Sequence, residues 1–198
     1  MTRDPARSVG EFRLDHELVE GFRNGTLAPR EEDALAEQVA RLLPFHWTLP
    51  ERPAADLSRI IASLGGEHRL LDWLTERSGR PRLVAHLFRL IGLLDWYSAH
   101  PAVVSALRDV LANSPLPPIV GAHLTPDVNI ASLTGLAWAI ETALGEDRTN
   151  EATRLAFGAA ALFERVARQA GETDPGVGDL ADQVARLRVD IAEAYKRM

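Results

Sequence analysis

The feature that most constrains this chain is the spacing of its apolar residues, which recur every three to four positions along nearly its whole length. That spacing returns once per helical turn, and the two-residue alternation of a half-buried strand is missing. Several glycines and prolines fall between the periodic stretches. Asn24-Gly25, Gly65-Gly66 and Asp174-Pro175-Gly176 read as stops, and Pro29, Pro81 and Pro101 stand where a first helical turn tolerates a missing N–H. The expected fold is all-α: a single helical bundle of about eight or nine helices with no β-sheet.

Nine helices are placed this way. The first runs from Asp15 to Arg23 and the second from Pro29 to the residues before Pro44, with a stripe of Leu35, Val39 and Leu42. The third, Ala54 to Leu64, carries Leu57, Ile60, Ile61 and Leu64. The fourth, Glu67 to Ser78, buries Leu70, Trp73 and Leu74. The fifth, Pro81 to Ala99, is the most apolar and is expected near the centre. A sixth spans Pro101 to Ala112, a seventh opens at Thr125-Pro126-Asp127 and ends near Gly145, and an eighth covers Thr149 to Ala170. A ninth follows the Asp174-Pro175-Gly176 turn. The chain reads as one domain, with one candidate subdomain boundary in the Pro-rich loop 113–125, and the pair Leu70-Leu71-Asp72-Trp73 and Leu93-Leu94-Asp95-Trp96 is not a repeat, because the two aspartates fall on opposite sides of their apolar stripes.

Composition excludes several functions. Cysteine is absent, which removes disulfides, thiolate ligands and cysteine nucleophiles. The net charge of −6 argues against nucleic-acid binding, where a basic surface supplies most of the affinity. Only Lys196 among the 22 basic residues is a lysine, so Schiff-base chemistry has one terminal candidate. The Arg-over-Lys bias with abundant Ala is the usage of a GC-rich bacterial coding sequence. Residues 1–12 lack the apolar stretch of a signal peptide, and the longest apolar run, Leu83 to Tyr97, is interrupted by His86, Arg89 and Asp95. A soluble cytoplasmic protein is expected, with no membrane and no nucleic-acid partner.

Motifs that carry chemistry are few. Gly25-Thr26-Leu27-Ala28-Pro29-Arg30-Glu31-Glu32 resembles the opening of zinc-binding anti-sigma domains, in which the following helix supplies His and the next segment Cys ligands; here that helix carries Gln38 and Val39 and no Cys exists, so no metal site is expected. Gly176-Val177-Gly178-Asp179-Leu180-Ala181 fits the dinucleotide pattern G-x-G-x-x-A, but a turn precedes it where a strand is required. No P-loop, no Gly-x-Ser-x-Gly elbow and no Glu-x-x-His occurs, and His16/Glu20 and His68/Asp72 are ordinary i, i+4 pairs. No cofactor is expected.

The fifth helix carries the most information. At 100° per residue, Arg82, His86, Arg89, Trp96 and His100 fall on one side with Tyr97 at the edge, and Leu83, Leu87, Leu90, Ile91 and Leu94 on the other. Arg offers planar bidentate donors to carboxylate or phosphate and His a pH-sensitive one, so this face can hold an anionic ligand or a partner's acidic segment. Asp95 points toward the apolar side, where a carboxylate must be paired, hydrogen-bonded or protonated. The ninth helix sets Leu180, Val184, Leu187 and Ile191 in a heptad-like seam suited to self-association.

Two functions from different classes follow. The first is a non-catalytic interaction or regulatory protein that binds a partner protein or a second copy, for which charge reversal at Arg82 and Arg89 would abolish binding. The alternative is a small-molecule-binding protein or enzyme with an interhelical pocket lined by Trp73, Trp96 and Trp138, with His86 or Asp95.

Overall fold

The computed structural model describes residues 13–43, 49–77, 79–114, 120 and 131–198. Among them are nine α-helices and no strand: α1 (His16–Arg23), α2 (Pro29–Leu42), α3 (Glu51–Leu64), α4 (Glu67–Glu76), α5 (Arg80–Tyr97), α6 (Pro101–Asn113), α7 (Ala131–Gly145), α8 (Thr149–Thr173) and α9 (Leu180–Lys196). The fold is all-α, and the boundaries follow local chemistry. Asp15 caps α1 by accepting from the Glu17 N–H at 2.9 Å. At α2 the cap residue is Ala28, which has no acceptor, and the Glu31 carboxylate instead takes the Ala28 N–H at 2.8 Å. Gly65 ends α3 in the left-handed region at φ 89°, where a side chain would be strained. α3 begins a turn earlier than its Ala54 estimate, because Pro53 sits in the first turn, where no N–H is needed. The expected start of α7 at Thr125 and most of the Pro-rich loop lie outside the described residues.

The chain divides into two compact units, residues 1–85 with 194–198, and residues 86–193. In the first, α1 packs on α2 and α3, and α3 on α4, over a core that includes Val19, Leu35, Val39, Leu42, Ile60 and Leu74. Charged residues bind this unit as well. Trp73, 6% exposed, donates its indole N–H to Glu32 at 2.8 Å, packs against Phe22 with ring centroids 5.2 Å apart, and lies beneath the Arg77 guanidinium at 5.8 Å. Arg77 in turn pairs with Glu32 and with Asp33, the latter at 3.0 Å. Burial pulls the Arg77 pKa down, but the two carboxylates outweigh it and hold the pKa above its usual value. Gly79 has φ 83°, and a Cβ there would sit 3.1 Å from the Arg197 Cβ and 3.2 Å from the Ala194 carbonyl, so residues 194–198 close over this turn.

The second unit is built around α8, the longest helix at 25 residues, which packs on α6 and α7. Its inner face alternates Ala152, Ala156, Ala159, Ala160, Ala167 and Ala170 with Leu155, Leu162, Phe163 and Val166, all buried. Small residues let neighbouring helices approach while the larger ones fill the space between. Leu87, Leu90, Ile91 and Leu94 of α5 are at most 2% exposed, as the helical period predicts. α9 is tied to α8 by Arg188, 3.1 Å from Glu164, which also pairs with Arg168 at 3.0 Å. No described helix is long and apolar enough to cross a membrane.

Candidate functional site

The outward face of α5 begins with residues whose side chains have nowhere else to go. The apolar stripe of this helix is fully used in the core, which leaves Arg89 and Trp96, 20° apart in projection, pointing away from it. Both are exposed, Trp96 at 74%. Tyr97 braces the indole, with ring centroids 6.0 Å apart and planes 26° from parallel. Tyr97 in turn meets Phe163 of α8 at 6.4 Å and the His100 imidazole at 6.3 Å. A row of rings therefore runs from solvent at Trp96 to the buried Phe163. The His100 Nε2 lies 3.5 Å from a carboxylate oxygen of Asp174, whose other oxygen accepts from the Gly176 N–H at 2.8 Å.

This arrangement keeps part of the sequence-derived set and alters the rest. Arg89, Trp96 and His100 lie in the second unit, and the structure joins Trp96 to His100 through Tyr97. His100 arrives by a route the projection did not foresee: α5 ends at Tyr97, and His100 is the cap residue of α6. Arg82 is half-buried and belongs to the first unit. His86 is half-buried, with both ring nitrogens out of reach of solvent. Asp95, expected as a buried carboxylate, is half-buried with one carboxylate oxygen out of reach of solvent, and its carbonyl accepts from the Ser98 hydroxyl at 2.7 Å. Asp174 was legible only as a turn residue, since its approach to His100 comes from packing between segments far apart in sequence.

One expectation is corrected. The seam of Leu180, Val184, Leu187 and Ile191 is 0–2% exposed, so it is spent on this chain's own core and leaves nothing for a second chain to meet. The tryptophans named for an interhelical pocket divide between the two units. Trp73 is buried in the first unit, whereas Trp96 and Trp138 of the second are 74% and 59% exposed. Ser98 projects about 160° around the helix from Trp96, and it is Ser98 that accepts a hydrogen bond from Thr134 of α7 at 2.9 Å. The contact from α7 thus reaches the end of α5 on the side away from Trp96.

A separate open groove of about 440 Å³ lies between α6 and α8, with Asp109, Asn113 and Ser114 on one wall and Arg165, Arg168 and Glu172 on the other. Gln169 spans it to Asp109 at 3.1 Å. Its charges are mixed, and Arg168 is already paired with Glu164. No group of three or more His, Asp or Glu side chains that could hold a metal ion occurs among the described residues.

Comparison with known proteins finds no matching family model, no matching curated protein and no matching solved structure.

Proposed function

We propose that this chain is a non-catalytic helical interaction protein that docks another protein on the outward face of α5 in its second unit. The observation that carries the reading is Trp96. An indole left 74% exposed forgoes burial that a Trp side chain ordinarily gains, and it is held in place by Tyr97 rather than left to swing. Trp and Arg are the residues that dominate binding energy at protein interfaces, and Arg89 stands two turns away on the same face. The test compares proteins captured from extracts of the source cells by the wild-type chain, Trp96→Ala and Arg89→Glu, each checked for native helicity. One protein recovered with wild type and lost with both variants is expected. Identical recoveries from all three would overturn the reading.

A second reading, a small-molecule binder, is favoured by the α6–α8 groove, whose volume lies within the range of ligand sites. Native mass spectrometry of gently purified protein separates the two: an adduct lost on Arg165→Ala would move the function to the groove.

A further inference from the structure

We infer that the outward face of α5 is self-complementary and that a second copy of this chain docks on it, antiparallel, about a two-fold axis passing between Gly92 and Leu93. The inference rests on the reading of this face as a docking surface and names its occupant.

The argument begins with the order of residues along the stripe. Arg89, Gly92, Leu93 and Trp96 occupy one side of α5, and none of them carries a negative charge. Arg89 and Trp96 are about 10.5 Å apart along the axis. When two copies of a helix lie antiparallel about a two-fold, residues oppose one another with a constant sum of positions. An axis between Gly92 and Leu93 sets Arg89 of each copy against Trp96 of the other. The same axis sets Leu93 of each copy over Gly92 of the other, both half-buried within their own chain, so the leucine meets a position without a side chain.

Each half of this arrangement answers a need of the other. An exposed Trp96 offers an indole face with negative quadrupole potential, and Arg89 has no ion-pair partner among the described residues. Pairing satisfies both groups twice over, once on each side of the axis. It also keeps the two Arg89 side chains apart, since each lies over an indole. An acidic segment from a different protein would complement Arg89 but bring nothing specific to Trp96, so the second copy is the better match. The stripe is short, however, and covers less than the roughly 800 Å² per partner of a standard interface. The dimer is accordingly weak and forms only as concentration rises.

Sedimentation velocity on the full chain, from low-micromolar to near-millimolar protein, tests the inference. A monomer–dimer equilibrium is expected for wild type. Trp96→Arg sets Arg against Arg and is expected to weaken dimerisation roughly tenfold or more, and Trp96→Ala to weaken it by a similar factor. The double variant Arg89→Trp/Trp96→Arg restores both opposing pairs with their roles exchanged and is expected to recover most of the loss. Both positions are exposed, and circular dichroism verifies that each variant keeps its helices. A chain monomeric at every concentration would overturn the inference, as would a dimer indifferent to Trp96→Arg or one that the double exchange fails to restore. A monomer that still loses its captured protein on Trp96→Ala would reject the second copy and keep the docking face.

Discussion

The two units put tryptophan to opposite uses. In the first, Trp73 is enclosed: Glu32 takes its N–H, Phe22 lies against its ring and Arg77 covers its face. In the second, Trp96 has a neighbour on one side and solvent on the rest, and its interior is sealed by aliphatic side chains and Phe163. An indole with its donor matched and its face covered has become part of the scaffold. One with an open face, on the same stripe as an exposed arginine, has adhesive capacity in reserve. The residue type is the same, and only its surroundings assign the role.

Five substitutions can break or sharpen this contrast. The largest effect is expected from truncating the enclosed residues, Trp73→Ala in the first unit and Phe163→Ala in the second, each costing about 3–5 kcal/mol in denaturant unfolding. A loss below about 1 kcal/mol at Trp73 would mean that its enclosure contributes little. Next comes Arg77→Gln, which removes the charge that Glu32 and Asp33 share and the cover over Trp73. A loss of about 1.5–3 kcal/mol is expected, and hydrogen exchange should be faster first in α2 and α4. If protection fell evenly over all helices, the local account would be wrong. Glu164→Gln loosens α8 from α9 at a partly exposed pair, and about 0.5–1 kcal/mol is the expected cost. Smallest of all is Trp96→Ala, with stability unchanged within about 0.5 kcal/mol. A large loss there would show Trp96 to be scaffold after all, and the contrast between the units would collapse.

Much of this was legible in the sequence because helices announce themselves locally. The stripe Leu35, Val39 and Leu42 is buried as its spacing requires, and Leu70, Trp73 and Leu74 likewise. The outward position of Arg89 and Trp96 follows from the same period. What failed was long-range. α7 is small and apolar almost all the way round, so nothing in its sequence distinguished the side of Leu133 and Leu136 from that of Trp138. The seam of α9 looked the same whether its partner was its own chain or another, because heptad spacing specifies a packed face and says nothing of whose. His100 and Asp174 meet only because α5, α6 and α8 converge, and neither carries a local mark of the other.

The return of residues 194–198 to the first unit bears on how the protein is made. At ordinary rates of translation the whole second unit takes roughly 5–20 s to be synthesised. Until then the turn at Gly79 waits without the segment that packs over it. The second unit, continuous in sequence, can condense as soon as it emerges, whereas the first must hold its place and be finished last. Its apolar core and the charged clamp around Trp73, the clamp made entirely from residues 22–77, are what the early chain has available to stay compact in the interval.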